Sequence, residues 1–570
     1  MRRRRPLTSR AIPTASNRLR SLFGSSRTAD RAHERHSSRL GIVAIGLLAL
    51  IVGGCASLPP GADYPRIPSA ALEHPDLTPL GQRFDDAARD HDGDSAFRLL
   101  SDGVDGFLVR AQMIDAATRT VDLEYFIFRQ DETGKLLADA LLRAADRGVR
   151  IRLLLDDADT RTGDAQIVAL SAHPNIHIRI FNPFAYRGHA AALRNFEFLV
   201  SASRLDYRMH NKLMVVDGAI ALLGGRNIGD QYFQVSSHSQ YVDDDVFAAG
   251  PIVRKISGSF DAYWNSPLAI PVAALAGKAA SDGALNAYRA KLERHRRELK
   301  SDGTAYVRRI ATDQPLAGML SGTVPLVWAQ AEFVYDSPDK KEVEAGDRTG
   351  RLMHNAVMNA MRAVRSELLV VTPFFIPGSK GMQLLSSLRR RGVTVRVLTN
   401  SLESTPEPIA QSGYMHYRIP LLEAGVELYE VRAHPGNVPG SDEHARESEG
   451  DLTPGSYALH AKLYVFDRRK LFIGSTNFDE RSRRLNTEIG LFIDSPILAQ
   501  QVAARFEAMT SLQDSYHLSL RKQAPDALPQ LSWRTRENGR IVDYDVEPTD
   551  SLSRELKVEL LSLLPLDGEL

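Results

Sequence analysis

Two copies of one sequence motif limit the folds and functions open to this chain more than any other feature. Each copy has a histidine, a lysine two residues later, an aspartate seven residues later and an asparagine 17 residues later. The first copy comprises His210, Lys212, Asp217 and Asn227, and the second comprises His460, Lys462, Asp467 and Asn477. One such His-x-Lys pattern with its aspartate arises by chance in roughly a few per cent of chains. Two copies with the same asparagine spacing therefore indicate a duplicated functional unit.

The segments that precede the two motifs share one order of strand, helix and strand. In the first half, the apolar residues 121–128 and 149–157 predict strands around an amphipathic helix at 134–147. In the second half, residues 367–377 and 393–401 predict strands around a helix at 380–391. Both helices end in Arg-Gly-Val, with the glycine at the helix C-cap. We therefore predict an α/β fold of two pseudo-symmetric halves, each a mixed β-sheet flanked by helices.

Changes in composition along the chain predict six segments. They are a signal segment with a basic n-region at 1–55, a Pro-rich tether at 56–83, the first half at 84–267, a helical connection at 268–325, the second half at 326–536 and a C-terminal tail helix at 537–570. In the tail, Leu552, Leu556, Leu560 and Leu563 follow helical spacing, which suits either a docked helix or a membrane contact. Residues 434–456 have the composition of a surface loop, which is either a lid or an inert insertion.

The residues after each lysine are typical of a β-hairpin, with turns at 217–218 and 467–470. Because residues i and i+2 of a strand point to the same face, each histidine and its lysine are expected to project together. When the two halves pack about a pseudo-two-fold axis, two histidines, two lysines and two asparagines meet. We therefore expect one active site at the interface between the halves.

This set of side chains suits the cleavage of a phosphodiester without a metal ion or another cofactor. A neutral imidazole can attack phosphorus, while a second, protonated imidazole donates its proton to the leaving oxygen. Positive charge and amide groups near the non-bridging oxygens then stabilise the developing charge. The expected phosphate-binding residues are Lys212, Asn227, Lys462 and Asn477. The residues alone do not distinguish which histidine is the nucleophile.

The paired motifs resemble those of the phospholipase D superfamily. Within it, RMHNKLMVVDG, ALLGGRNIGDQYF and GSTNFDERSRRLNTEIG resemble the bacterial cardiolipin synthases, and most of all their C-type branch. The similarity extends from about residue 121 to the C-terminus. It implies that a phosphatidyl group moves from phosphatidylglycerol to a histidine and then to an acceptor alcohol. The implied product is cardiolipin.

The same resemblance assigns roles to residues. It implies that His210 is the nucleophile and His460 the general acid and later base, and that Asp243 and Glu488, which occupy matching positions, orient the catalytic histidines. Asp217 and Asp467 are counted with the catalytic residues as members of the motif, although their positions at turns favour a structural role. Three other functions stay open, namely a hydrolytic phospholipase D that releases phosphatidic acid, a superfamily nuclease and a non-enzymatic lipid-binding scaffold.

The single cysteine, Cys55, excludes an intrachain disulfide and a cysteine-rich metal site. It follows the apolar run at 41–52 and two glycines, a pattern similar to a bacterial lipobox. We therefore expect a lipoprotein anchored through Cys55 in the cell envelope, with the membrane and leaflet left open. The alternative is an uncleaved anchor helix, which the mass of the mature N-terminus distinguishes.

The charge balance bears on the partner. After residue 55 the chain carries 60 basic and 68 acidic residues, whereas proteins that bind nucleic acid by releasing counterions are basic. Nucleic acid is therefore not expected. The expected partner is a membrane phospholipid, phosphatidylglycerol, with phosphatidylethanolamine left open, and the sequence indicates no obligate protein partner.

Overall fold

The structure is a computed structural model. It describes residues 59–158, 164–188, 190–235, 239–276, 281–302, 305–346, 350–435, 456–521, 528–549 and 551–562. The apolar run at 41–52, Cys55, Leu563 and residues 436–455 of the predicted loop lie outside the described residues. The lipid anchor and the lid therefore stay predictions. Within the described ranges, no helix has the length and apolar character required to cross a membrane.

The first half forms one mixed sheet, as its sequence pattern predicts. Its strands are β1 (Ser95–Leu100), β2 (Thr120–Tyr125), β3 (Arg150–Asp156), β4 (Ile176–Phe181), β5 (Lys212–Val216), β6 (Ile220–Gly224), β7 (Ser239–Val242), β8 (Asp245–Ala249) and β9 (Ala269–Pro271). Eight of them pair in the order β9-β4-β3-β2-β5-β6-β8-β1, in which β2, β3 and β4 are parallel. Strand β7 lies outside this sheet and pairs with the second half.

The second half repeats this arrangement. Its strands are β10 (Val327–Tyr335), β11 (Glu367–Val371), β12 (Thr394–Asn400), β13 (Glu427–Val431), β14 (Ser456–Leu459), β15 (Leu463–Phe466), β16 (Lys470–Gly474), β17 (Ile489–Asp494), β18 (Ser515–Arg521), β19 (Gln530–Glu537) and β20 (Arg540–Tyr544). The order β13-β12-β11-β15-β16-β17-β10 matches β4-β3-β2-β5-β6-β8-β1 strand for strand. Strands β18, β19 and β20 extend the sheet beyond β13.

Helices cover the sheets. They are α1 (Pro79–Arg89), α2 (Gly103–Ala116), α3 (Glu132–Asp146), α4 (Asp164–Leu170), α5 (Ala191–Val200), α6 (Ala202–Leu205), α7 (Ile252–Trp264), α8 (Val272–Leu275), α9 (Asp282–Asp302), α10 (Ala305–Thr312), α11 (Pro315–Ser321), α12 (Lys340–Glu344), α13 (Met353–Ala363), α14 (Gly378–Arg390), α15 (Pro408–Glu423), α16 (Glu480–Arg484), α17 (Pro496–Met509) and α18 (Leu552–Ser562). Two short 3-10 helices are Pro75–Leu77 and Asp230–Tyr232. The predicted C-cap glycines, Gly148 and Gly392, have φ of +92° and +83° after α3 and α14. The predicted fold class is confirmed.

An apolar core between the two halves sets their relative position. Leu213 and Val215 of β5 lie in the same buried cluster as Leu463 and Val465 of β15, together with apolar residues of α7 and α17. Strands β1 and β10 pair antiparallel, from Ser95 opposite Ala329, and join the two sheets edge to edge. Burial of this much apolar surface holds the two motif-bearing hairpins in one arrangement.

The chain ends differ from the prediction in detail. The segment predicted as a tail helix from residue 537 begins with strand β20, which pairs with β19 before α18 starts at Leu552. Helix α18 docks on α15 and buries Val558, whereas Leu552, Leu556 and Leu560 are exposed. The strands at 120–125 and 367–371 are also shorter than the predicted apolar runs at 121–128 and 367–377.

The two hairpins that carry the motifs turn through two residues with positive φ. Asp217 and Gly218 have φ of 52° and 62°, and Asp467 and Arg468 both have φ of 53°, which is the geometry of a type I′ turn. The carboxylate of Asp217 accepts from the backbone N–H of Thr118, Arg119 and Thr120. That of Asp467 accepts likewise from the N–H groups of residues 365–367.

These contacts correct the assignment of the two aspartates to the catalytic set. Each lies at the far end of its strand from the histidine, at a distance of about 20 Å along an extended chain. Each carboxylate ties a hairpin turn to the start of the neighbouring strand. The contacts therefore support the structural role that the turn positions of Asp217 and Asp467 favour.

Replacement of either aspartate by asparagine tests this role, since asparagine tolerates the positive φ but loses the charge. We expect Asp217→Asn, which is fully buried, to lower the free energy of unfolding by about 2–4 kcal/mol. We expect a smaller loss of about 1–2 kcal/mol for the partly exposed Asp467→Asn. Urea unfolding measures both, and wild-type stability of Asp217→Asn would contradict the structural role.

Candidate active site

His210 is held by a carboxylate from the other half of the chain. Its Nδ1 lies 3.0 Å and 3.1 Å from the two carboxylate oxygens of Glu488. The hydroxyl of Ser475 donates to the same carboxylate at 2.5 Å, and the backbone N–H of Glu488 donates to Asp336. Because Nδ1 is occupied, Nε2 is the ring nitrogen left for chemistry.

His460 is held in the mirrored way by the first half. Its Nδ1 lies 2.6 Å from Oδ2 of Asp243. A Cβ at Gly225 would lie 2.1 Å from Oδ1 of Asp243, so the glycine makes room for this carboxylate. At the matching position Ser475 reaches the longer Glu488. The structure thus places both sequence-predicted carboxylates beside the histidines, and adds that each pair joins opposite halves.

Backbone hydrogen bonds also join each motif histidine to the opposite half of the chain. The N–H of His210 donates to the carbonyl of Thr487, one residue before Glu488, at 2.9 Å. The N–H of His460 donates to the carbonyl of Val242, one residue before Asp243, at 2.8 Å. Parallel pairing of β14 with β7 and the bridge of Met209 to Thr487 extend these contacts. Each histidine is therefore fixed by main chain and side chain of the opposite half.

The two lysines lie inside the same site. Lys212 and Lys462 are 0% and 1% exposed, and each Nζ donates to the carbonyl of its own motif histidine. Lys462 Nζ also lies 3.1 Å from Nδ1 of His460. Burial lowers the pKa of Lys462 to about 8, although Asp243 and Glu488 favour its charged form. Burial likewise lowers the pKa of Lys212, against the effect of Glu488.

Mutual charge effects show that the two motifs share one environment. Burial, with the positive charges of Lys212 and Lys462, lowers the pKa of His210 well below its usual value. Burial and Lys462 lower the pKa of His460 to about 3, against the effect of Asp243. Both imidazoles are therefore neutral near pH 7 before substrate binds. Each lysine acts on the histidine of the other motif as well as on its own.

The carboxylates differ in their affinity for protons. Burial would raise the pKa of Asp243, but His460 and Lys462 outweigh it and hold the pKa at about 2. Burial raises the pKa of Glu488 to about 7, against the opposing charge of Lys212. Asp243 thus stays ionised at all ordinary pH values, whereas Glu488 gains a proton near neutrality.

The two motif asparagines are not equivalent. Asn227 accepts from the N–H of Ile127 at 3.2 Å and donates to the hydroxyl of Tyr232 at 2.9 Å. The buried Oδ1 of Asn477 has no hydrogen-bond partner among the described residues. Asn477 lines a cavity of about 430 Å³ that is also bordered by His354 and Lys380. An amide oxygen only accepts hydrogen bonds, so this atom has capacity for a donor group of a ligand. Phosphate binding by either asparagine stays a prediction.

Aromatic side chains enclose both imidazoles, which sequence reasoning missed. The ring of Phe126 meets His210 edge-on at a centroid distance of 5.0 Å. Tyr232 meets His460 edge-on at 5.1 Å, and Tyr241 stacks on it at 5.3 Å. Phe126 directly follows β2, and Tyr232 lies in the motif segment ALLGGRNIGDQYF, so only their positions in space reveal these contacts.

Comparison with known proteins adds independent findings. Residues 111–264 and 357–510 each match the family described as "Cardiolipin synthase, PLD-like domain". The chain is 34% identical over 482 residues to cardiolipin synthase C of Escherichia coli (strain K12), covering 84% of this chain and 96% of that protein. It is 30% identical to an uncharacterized protein of Helicobacter pylori (strain ATCC 700392 / 26695), covering 86% and 93%. It is 24% identical to major cardiolipin synthase ClsA of Bacillus subtilis (strain 168), covering 73% and 68%.

Charge-removing variants test the crossed carboxylates. Asp243→Asn and Glu488→Gln keep the side-chain shape but lose the charge that fixes the ring orientation and proton position of each histidine. We expect each to lower kcat for phosphodiester turnover by roughly 10²- to 10⁴-fold, with little change in KM. The wild-type rate should also fall as pH drops below about 7, where Glu488 becomes protonated, and this limb of the pH profile should vanish in Glu488→Gln.

The matched control is Glu124→Gln. Glu124 is fully buried on β2 and bonds the side chain of Asn211, and burial raises its pKa to about 8. Its carboxyl is therefore already neutral at pH 7, and the variant should keep wild-type kcat. Wild-type kcat in Asp243→Asn and Glu488→Gln would contradict the orienting role.

Proposed function

The chain belongs to the family of phospholipase D-like cardiolipin synthases, and on that premise we propose that it makes cardiolipin by moving a phosphatidyl group from one phosphatidylglycerol molecule to another. It is a phosphatidyltransferase of the phospholipase D type. The observation that carries the proposal is the pair of neutral imidazoles, each held at Nδ1 by a carboxylate of the opposite half. That arrangement leaves two Nε2 atoms to act on one phosphorus.

In the first step, Nε2 of His210 attacks the phosphorus of phosphatidylglycerol and a nitrogen–phosphorus bond forms. The bond from phosphorus to the headgroup glycerol oxygen breaks, and that oxygen takes a proton from Nε2 of His460. Glycerol leaves. Glu488 stabilises the positive charge that develops on the ring of His210, because it accepts from Nδ1.

In the second step, the free hydroxyl of another phosphatidylglycerol headgroup gives its proton to Nε2 of His460. The resulting oxygen attacks phosphorus, and the bond to Nε2 of His210 breaks. Cardiolipin forms and both imidazoles return to their starting states. Lys212 and Lys462 offset the charge on the non-bridging oxygens in both steps.

The first step needs a protonated His460, and substrate binding favours this form by raising the pKa of the imidazole, which then takes a proton from solvent. The free site keeps this imidazole neutral, since burial and Lys462 lower its pKa to about 3. A phosphodiester brings one negative charge into the site, and an adjacent negative charge raises the pKa of an imidazole. Asp243 already favours the protonated imidazole in the free site, and the charge of the substrate adds to its effect. The anionic substrate thus favours the protonated His460 that the first step uses.

Product analysis tests the proposal. The full-length chain is incubated with vesicles of phosphatidylglycerol, with and without phosphatidylethanolamine, and the lipids are separated by thin-layer chromatography. We expect cardiolipin and free glycerol in equal amounts from phosphatidylglycerol alone, and no product from His210→Ala or His460→Ala. Far-ultraviolet circular dichroism serves as the folding control for both variants.

Other outcomes identify the alternatives. Phosphatidic acid without cardiolipin would show a hydrolytic phospholipase D, in which water replaces the acceptor alcohol. If cardiolipin forms only when phosphatidylethanolamine is present, the phosphatidyl donor is phosphatidylethanolamine and not phosphatidylglycerol. Cleavage of DNA without action on lipid would indicate a nuclease, and no turnover of either would contradict an enzymatic role.

A further inference from the structure

Helix α5 presents large apolar side chains to solvent. Leu193, Phe196 and Leu199 are 53%, 58% and 73% exposed, and Phe198 and Val200 on the same helix are also exposed. Four of them, Leu193, Phe196, Leu199 and Val200, lie on one side of the helix, and we call these four the α5 apolar face. Apolar patches of this kind on soluble proteins usually mark a contact with another apolar surface.

The charged residues of α5 point inward, opposite to the arrangement in most surface helices. Arg194 is 4% exposed, its guanidinium lies 3.8 Å from the ring centroid of Phe184, and it donates to the carbonyl of Asp157. The carboxylate of Glu197 accepts from the N–H groups of Ala185 and Tyr186 at 2.7 Å and 2.8 Å. These bonds fix the rotation of α5, so the apolar face cannot turn toward the core.

Position links α5 to the catalytic site. Nine residues lie between Val200 and His210, and α6 occupies four of them. The segment after α6 is tied to the body, because Met209 donates its N–H to Asp156 at 2.8 Å. On α6, three residues after Val200, the carbonyl of Ser203 accepts from Nζ of the exposed Lys341 at 2.6 Å. A positive charge is thus held on the helix that directly follows α5.

We propose that α5 is a membrane-contacting helix, whose apolar face inserts into the surface layer of an anionic bilayer and holds the site over its lipid substrate. The inference rests on the proposed function in that the substrate is a bilayer phospholipid. The hydrocarbon interior of a bilayer suits a helix face that exposes no charge, and the positive charge of Lys341, held on the following helix, suits anionic lipid phosphates. Ten residues of helix are about 15 Å long, so α5 lies in the interface plane and does not span.

Fluorescence quenching tests the contact directly and without reference to activity. Leu199→Trp is compared with Ile497→Trp, a control at an isolated site on α17 where the native residue is 58% exposed. Full-length protein is mixed with phosphatidylglycerol vesicles whose acyl chains carry bromine. We expect the added emission of Leu199→Trp to be quenched and that of Ile497→Trp to be unaffected. Equal quenching of both, or of neither, would overturn the proposal.

Kinetics test its role in presenting the substrate. The double variant Phe196→Gln/Leu199→Gln is compared with Ile497→Gln on long-chain phosphatidylglycerol vesicles and on short-chain, monomeric phosphatidylglycerol. We expect the double variant to lose at least about tenfold in kcat/KM on vesicles and to keep the wild-type kcat/KM on the monomeric lipid. We expect Ile497→Gln to keep the wild-type kcat/KM on both.

The two proposals fail in different ways. Full vesicle activity in the double variant would overturn the role of α5 while leaving the transferase intact, and equal losses on both lipids would show a structural defect and overturn it as well. A wild-type chain that turns over neither lipid would contradict the proposed function, and the quenching result would still decide whether α5 contacts the membrane.

Discussion

The site depends on two hydrogen-bonded pairs that cross between the halves of the chain, His210 with Glu488 and His460 with Asp243. Neither half can orient its own histidine, because the carboxylate and the backbone carbonyl that fix each ring belong to the other half. The shared apolar core and the pairing of β1 with β10 hold these groups in register. Any change that moves one half relative to the other therefore disturbs both imidazoles at once.

Small differences between the halves let similar residues take different roles. Glu488 is one methylene longer than Asp243 and accepts from Ser475, where the first half has Gly225. Glu488 has a pKa of about 7 and Asp243 a pKa of about 2, each held there by the charges and burial described above. Lys462 contacts the ring of His460 directly, whereas Lys212 bonds the backbone of His210. A pseudo-symmetric fold thus supplies one permanently ionised and one titratable partner.

Local sequence patterns predict much of this arrangement and long-range contacts explain the rest. Residue spacing is sufficient to predict the duplication, the strands around residues 134–147, the C-cap at Gly148 and the hairpin turns. Each of these features depends on residues that are close together in the chain. The separation between His210 and Glu488 is 278 residues, so periodicity carries no information on which histidine each carboxylate meets. The orientation of helix α5, with its charged residues inward and its apolar residues outward, could not be predicted for a related reason. Arg194 and Glu197 bond to residues on other segments, and the pattern of α5 itself does not show these contacts.

An activated substrate tests the central claim most directly, that two imidazoles act in sequence on one phosphorus. A phosphatidyl ester of p-nitrophenol has a leaving group that needs no proton, so His460 is dispensable for the first step and required for the second. In His460→Ala we expect a burst of one p-nitrophenolate per site and a phosphatidyl group on the peptide that contains His210, with no burst in His210→Ala. A burst in His210→Ala, or a phosphatidyl group found on His460 of the wild-type chain, would contradict the account.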